Sequence, residues 1–391
     1  MSGNPKVILL IETSRASGQG LLRGIAKYSH LHGPWTFYME PPAYEKPSKK
    51  MRTLSRLKDW GATGVIARDS AKIDELLSMD LPVIIANATK DYMPNLPNIV
   101  DDCEPTGAMA AEHLLSRGFR RFAYCGFDDR LWSRKRGEAF AKSIKEAGYK
   151  AYFYKPPRLR GQRLWENEPT YIADWLKALS KPLGLMTCAD HRSQHVIEAC
   201  RIAGLHVPEE VAVLGVDNDE LVCDLSDPPL SSIALDTERA GYEAAELLDK
   251  LMKGKKMTEQ RIYVKPTHVV ARQSTDILAI EDKDIAEAVR FIRQNSKSLI
   301  QVVDVAEHVA LSRRSLERRF RRILGWAVHD EIKRVRTNQI ARMLVEAELS
   351  ISQIALSFGF PGVGQMCRFF RREKGINPQA YRKSYAIKLN R

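Results

Sequence analysis

The sequence predicts an α/β region of parallel sheets with helices on both faces, followed by an all-α region built from two helix-turn-helix units. Three observations carry this reading. Residues 6 to about 275 alternate short apolar strands with amphipathic helices, the pattern that a covered parallel sheet requires. A helix–turn–helix pattern occurs twice after residue 300, about 50 residues apart. The basic charge also gathers there: from Glu281 onward stand 22 Lys+Arg against 12 Asp+Glu, a net +10 of the total +13.

The elements of the first region follow in order. Val7–Ile11 is an apolar run of strand length, and Leu21–Tyr28 is a helix whose apolar positions are Leu21, Leu22, Ile25 and Ala26. Trp35–Met39, Gly64–Ala67, Val83–Ala86, Phe122–Cys125, Leu183–Cys188 and Val211–Val216 read as further strands. Thr106–Ser116, Gly137–Ala147, Ser193–Ala203 and Arg239–Met252 read as the helices between them. Open parallel sheets bind ligands beyond the carboxyl ends of their strands. Here those ends include Glu12-Thr13-Ser14-Arg15, Arg68-Asp69, Asn87, Gly126–Trp132, Ala189-Asp190-His191 and Asp217-Asn218-Asp219. Such a set, rich in carboxylates and guanidinium groups with one tryptophan, suits a small polyhydroxylated ligand.

The second region starts after a linker zone, Lys265 to Asp284, in which Pro266 stops regular structure and Glu281–Asp284 offers a charged helix start. The first repeat runs Val302–Val309, the turn Ala310-Leu311-Ser312, then Arg313–Leu324, with Ser312 as N-cap. The second runs Ile351–Phe358, the turn Gly359–Gly362, then Val363–Glu373. Ala306, Leu316 and Phe320 align with Ala355, Met366 and Phe370. A long helix striped by Ile332, Val335, Ile340, Met343 and Leu344 joins the two copies. Arg313–Arg322 holds six arginines and one glutamate around the apolar pair Leu316 and Phe320. So little i,i+4 compensation leaves self-repulsion that a polyanion relieves. The expected DNA contacts are Arg313, Arg314, Arg318, Arg319 and Arg322 from the first repeat, and Gly364, Gln365 and Arg368 from the second. Some of these arginines read bases and others hold phosphates. The bland alternative is a solvated charged face.

Several blocks of the first region resemble the LacI/GalR-type regulators, whose sensor has the periplasmic-binding-protein-like fold. They include Val100-Asp101 followed by Gly107, Ala108, Ala111, His113 and Leu114, then Trp132–Phe140 and Asp190. The run Gly204–Asn218 and the closing Pro229–Ile233 and Ala271–Thr275 complete the match. The resemblance covers about 270 residues and implies two lobes with a sugar-like effector in the cleft. By matched motif Arg136 and Asp217 carry over as effector hydrogen-bonders, with Asp190 beside them; Ser14, Arg15, Asp69 and Trp132 are added from strand-end position alone. Against this stand plainer roles, Asp217 as a turn cap and Arg136 as a surface ion-pair partner. Those regulators carry a DNA-binding headpiece before the sensor. This chain starts almost at its first strand, so its DNA-binding unit is expected elsewhere.

Residues 284–385 resemble the AraC-type DNA-binding domain, most specifically in Gly359-Phe360, Phe370-Arg371-Arg372, Gly375, Asn377-Pro378 and Tyr381-Arg382. This resemblance implies two recognition helices in successive major grooves of double-stranded DNA, ~34 Å apart. The chain departs from it at Met366, where phenylalanine is usual, and in the glycines at the second helix entry, which weaken that helix. The domains expected are 1–275 (effector-binding, two lobes), 276–284 (linker) and 285–391 (DNA-binding). A LacI-type sensor joined to an AraC-type reader resembles regulators of pentose catabolism. It implies an activator that responds to a pentose, xylose, acts as a homodimer and recruits RNA polymerase.

No apolar run approaches the ~20 residues of a membrane span, and Met1–Lys6 lacks signal-peptide order. The six cysteines show no C-x-x-C pairing, which suits a reducing cytoplasm. Neither a cofactor nor a metal is expected, and the chain is not read as an enzyme. Two other readings stay open: a regulator of a non-pentose metabolite such as a purine, and an enzyme using Asp190 with Asp217 or a metal on His191 and His195. Against the enzyme stands the lack of any H-E-x-x-H, G-x-S-x-G or phosphate-binding loop. A transport-binding protein would carry a signal peptide and no basic tail.

Overall fold

The structure, a computed structural model, describes residues 4–39, 60–68, 73–86, 92–157, 167–255, 260–280, 282–347 and 349–385. Strands with both faces covered are apolar throughout, and the chain follows that rule: all five residues of Leu183–Thr187 and six of seven in Val211–Asp217 are buried. Two six-stranded sheets result. The first holds β1 (Lys6–Leu10), β2 (Thr36–Met39), β3 (Gly64–Arg68), β4 (Val83–Ala86), β5 (Asn98–Asp101) and β11 (Arg261–Val264), all parallel, in the order β2-β1-β3-β4-β5-β11. The second holds β6 (Phe122–Cys125), β7 (Ala151–Phe153), β8 (Leu183–Thr187), β9 (Val211–Asp217), β10 (Ser231–Leu235) and β12 (Pro266–Val270), in the order β7-β6-β8-β9-β10-β12. Only β12 runs antiparallel there. The chain therefore passes between two α/β lobes three times, after β5, after β10 and between β11 and β12. The crossings are tied together: Asp102 N donates to Val264 O at 2.8 Å and Asp236 N to Lys265 O at 2.9 Å.

The helices of the sensor are α1 (Ala16–His32), α2 (Ile73–Leu77), α3 (Cys103–Leu115), α4 (Leu131–Glu146), α5 (Glu168–Lys177), α6 (Asp190–Ala203), α7 (Glu220–Leu225) and α8 (Thr237–Met252). α1 and α8 pack so closely that small residues are obligatory. A Cβ on Gly24 would stand 1.9 Å from the Glu238 carbonyl oxygen, and one on Gly241 would stand 2.1 Å from that of Leu21. Gly24→Ala is therefore expected to destabilise the first lobe by about 1–3 kcal/mol through forced separation of the two helices. A urea melt unchanged by that substitution would contradict the packing.

Three sequence expectations shift. The helices α1, α3, α4 and α6 begin three to six residues earlier than the apolar periodicity indicates, because their first turns do not carry that periodicity. Trp132, expected in the strand-end stretch Gly126–Trp132, thus lies inside α4 together with Arg136. Pro266 opens β12 rather than ending regular structure, a first-residue position where its missing N–H costs no ladder bond. The strands β5, β7, β10, β11 and β12, too short or too mixed to stand out, escape the sequence reading.

Among the described residues the regular elements of the C-terminal region are all helices: α9 (Lys283–Gln294), α10 (Val302–His308), α11 (Arg313–Leu324), α12 (Val328–Glu346), α13 (Ile351–Ser357), α14 (Val363–Lys374) and α15 (Pro378–Tyr385). Leu316 and Phe320 enter one core, and Met366 and Phe370 enter another, with α12 joining the two. Between sensor and reader the chain is no loose tether. Ile277 and Ala279 pack against the core of the second lobe, whereas Leu278 and Ile280 pack into the first core of the reader. Ala279 N also donates to the carbonyl of Arg117 at 2.7 Å.

Candidate effector cleft and nucleic-acid interface

Strand order reverses at β1/β3 in the first sheet and at β6/β8 in the second. Beyond those carboxyl ends, between the lobes, lies a cavity of about 380 Å³, within the size range of small-molecule sites. Its floor is organised by Arg136, only 3% exposed. The Nη1 atom donates to Cys188 O at 2.6 Å, and Nη2 lies 3.2 Å from Asp101 Oδ1 and 3.3 Å from Asp217 Oδ1. The guanidinium also sits 5.1 Å from the Trp132 ring centroid, and its buried Nε finds no acceptor among the described residues. Burial opposes the charge of Arg136, but Asp101 and Asp217 overcome that and hold its pKa above the ordinary value.

Asp217 ends β9 with φ 105°, a conformation unfavourable for a residue with a Cβ. The next residue holds it there: Asn218 N donates to Ser232 Oγ at 3.0 Å, and Asn218 Oδ1 accepts from Arg272 Nη1 at 3.1 Å. Burial pushes the Asp217 carboxyl up to about 6, against the pull of Arg136. Asp190, at the start of α6, is more completely engaged. Its Oδ1 accepts from Ser232 Oγ at 2.5 Å and its Oδ2 from Asp219 N at 2.7 Å. Burial and then the charge of Asp217 raise its pKa well above the carboxylate range. Asp219 in turn accepts from Ala16 N at 3.0 Å, a hydrogen bond from one lobe to the other across the cleft.

Of the residues expected at the site, Arg15, Trp132, Arg136, Asp190 and Asp217 line this cavity. Ser14 is exposed on the adjoining loop, where its N–H donates to Glu12 Oε1 at 3.1 Å, and it does not line the cavity. Asp69 lies outside the described residues. Glu12, Arg68, Phe127, His191 and Asp219, which belong to the strand-end stretches but not to the expected contacts, also line it, as does Asp101. Strand-end position thus marks all of these but Asp101, whose strand β5 is too short to stand out in the sequence. Phe127 and His191 stack with centroids 5.6 Å apart, and Trp132 meets Phe127 edge-on at 6.3 Å. Burial, then the charge of Arg15, lowers the His191 pKa to about 4. The cavity thus combines a charged hydrogen-bonding floor with apolar ring faces.

On the reader, Ser312 caps α11 by accepting from Ser315 N at 3.3 Å, and buried Leu316, Phe320 and Leu324 set which face turns outward. Arg313, Arg314, Arg318 and Arg322 are exposed as expected. Arg319 is not part of that open face. It is half-buried, and its Nε donates to Asp282 Oδ2 at 2.8 Å and its Nη2 to Asp284 Oδ2 at 2.8 Å, tying α11 to the start of α9. Arg321, passed over in the sequence, is exposed on the same face of the helix as Arg314 and Arg318. On α14 Gly364, Gln365 and Arg368 are exposed, and so are Arg371 and Arg372. Superposing Leu316 on Met366 and Phe320 on Phe370 places Arg318, Arg321 and Arg322 on Arg368, Arg371 and Arg372. The two helices offer the same trio. α14 is helical from Val363 although Gly362 supplies no side-chain cap, and a Cβ at Gly364 would meet open space. Gly364→Ala is expected to stabilise the protein by about 0.5–1 kcal/mol, measured by chemical unfolding.

A family model for a periplasmic binding protein-like domain matches residues 111–275, and one for a helix-turn-helix domain matches residues 305–384. Over 386 residues the chain is 30% identical to the xylose operon regulatory protein of Haemophilus influenzae, covering 96% of this chain and 98% of that one. It is 28% identical to the protein of the same name from Escherichia coli K12, covering 96% of each. The solved structure of the xylose-binding transcription activator XylR superposes with a TM-score of 0.60 at 27% identity, covering 99% of this chain and 100% of that one.

Proposed function

The chain belongs to the family of the xylose operon regulatory proteins, and from that premise we propose that it binds xylose between its lobes and passes that signal to DNA through α11 and α14. The observation that carries the effector half is the buried Asp101–Arg136–Asp217 cluster at the floor of the cleft. A pentose presents neighbouring hydroxyls that both donate and accept. Carboxylates take the donated protons, the guanidinium supplies donors, and ring faces cover the C–H surface. Effector binding draws on both lobes, with Arg15 on one side and Arg136, Asp190 and Asp217 on the other. A ligand that touches both lobes favours their closed arrangement and shifts the population toward it. Ser14 and Asp69 are carried in the proposal as flanking contacts only.

The DNA half rests on two matching arginine trios. These guanidinium groups are exposed, with only Arg372 paired, to Glu373 at 3.2 Å, and such groups suit phosphate and guanine edges. Its action as an activator, as a homodimer and through RNA polymerase is proposed from the family, as is action in the cytoplasm; among the described residues no helix is long and apolar enough to cross a membrane. The enzyme reading loses ground at Asp190, because both of its oxygens already accept hydrogen bonds from the protein. A free general acid or base would not be so engaged.

The test is thermal unfolding with xylose, arabinose, ribose, glucose, galactose and fucose. Xylose at 100 times its dissociation constant is expected to stabilise the protein by about 2.7 kcal/mol, more than any other sugar does. A melt that no sugar moves would sink the effector assignment.

A further inference from the structure

A second cavity, of about 210 Å³, opens where the sensor meets the reader. Its walls come from α3 and β12 on one side and from α9, α12 and α14 on the other. Five cationic side chains, Arg117, Arg293, Arg334, Arg342 and Lys374, line it against one carboxylate, Glu112. That carboxylate is already taken: its Oε1 accepts from Arg334 Nη1 at 3.2 Å and from Asn338 Nδ2 at 3.3 Å.

Three of the cations have neutral partners only. Arg117, 8% exposed, donates from Nε to Thr275 O at 2.6 Å and from Nη1 to His113 O at 3.2 Å, and meets His113 Nδ1 at 3.1 Å. Arg293 donates to Ser116 O at 3.2 Å, and Lys374 donates to Asn338 Oδ1 at 2.9 Å. Among the described residues no carboxylate lies within ion-pair distance of any of the three. Of the three only Arg117 is fully buried, Arg293 being half-buried and Lys374 exposed, and a buried charge is ordinarily paired because an uncompensated one costs several kcal/mol. Burial lowers the Arg293 pKa to about 10, and burial with the charges of Arg293 and Arg334 lowers that of Arg117.

We propose that this cavity is a second ligand site, which takes a small phosphate monoester such as a phosphorylated sugar or polyol and bridges the sensor to the reader. Guanidinium forks match phosphate oxygens in geometry, and a dianion would pair directly with cations that Glu331, Asp276 and Glu112 reach only at longer range. The volume, below the ~300 Å³ where drug-sized pockets begin, suits a phosphate on a short carbon chain better than a nucleotide. The site is separate from the pentose cleft and does not depend on which sugar fills it.

Titration calorimetry on the full chain at fixed ionic strength tests this, with glycerol 3-phosphate and ribose 5-phosphate as probes and glycerol and ribose as controls. At least one phosphate ester is expected to bind. The double variant Arg117→Gln, Lys374→Met is expected to weaken it by about tenfold or more, the loss for charge-assisted bonds. The variant Arg318→Ala, Arg321→Ala is expected to leave it unchanged. Lys374→Met alone, at an exposed position, is expected to weaken it as well, and its unaltered melting temperature reports intact folding. Absence of binding by both esters overturns the proposal. So does binding that is lost in the Arg318/Arg321 variant and kept in the Arg117/Lys374 variant, which would place the anion on the DNA face.

Discussion

Replacing Arg136 by alanine is expected to abolish xylose binding and to lower stability by about 3–5 kcal/mol, the cost of removing one partner from a buried ion pair. Both effects have one cause. Arg136 stands between Asp101 at the end of β5 and Asp217 at the end of β9. Without it two carboxylates face each other in a cavity that burial already makes unfavourable for charge. Part of the stability returns at lower pH. The folded pKa of Asp217 is raised to about 6 even with Arg136 pulling it down, and rises further without it, so from above that value down to the unfolded value of about 3.9 the folded state holds the extra proton and gains stability as pH falls. Arg136→Lys separates the two effects: it keeps the charge and most of the stability but loses the two-pronged donor, so affinity falls and the fold survives. Calorimetry with xylose and urea unfolding check both. Full xylose affinity in Arg136→Lys and in Asp217→Asn would remove these residues from the effector site.

Removing Arg318, Arg321, Arg368 and Arg371 together is expected to abolish specific DNA binding while leaving the xylose-dependent melt intact. A base-reading arginine accounts for ~1–3 kcal/mol. A phosphate-holding one contributes about 0.9 to the slope of log K against log salt. Single substitutions sort the four between these roles, since a phosphate contact lowers the slope and a base contact relaxes sequence preference. Arg319→Ala is the contrasting control. Its guanidinium is held by Asp282 and Asp284, so the salt slope is expected to stay as it was and the reader to melt earlier. An Arg319 variant with a reduced slope and an unchanged melt would return that residue to the DNA face.

The sequence makes the architecture legible wherever burial leaves one solution. β3, β4, β6, β8 and β9 are covered on both faces, so their apolar runs stand out in the chain. β11 and β12 do not, because they alternate or begin at proline, and their partners are fixed by the crossing of the chain rather than by local pattern. In the cleft, Arg136 and Asp217 are visible through motif. Asp101 is not, since a carboxylate after two apolar residues looks like any strand end until Arg136 is placed beside it. On α11 the apolar pair Leu316 and Phe320 is too short a stripe to fix the outward face. What takes Arg319 off that face is its pairing with Asp282 and Asp284 from the start of α9, a contact that spacing along α11 does not show.

The segment between sensor and reader carries a parity. Ile277 and Ala279 belong to one core, and Leu278 and Ile280 to the other. Adding one residue there exchanges odd for even and sends every side chain to the wrong partner, whereas adding two restores the assignment at slightly greater length. Orientation of the reader is thus encoded digitally, in the evenness of a four-residue count, and length variation between related chains at this point is expected to come in steps of two.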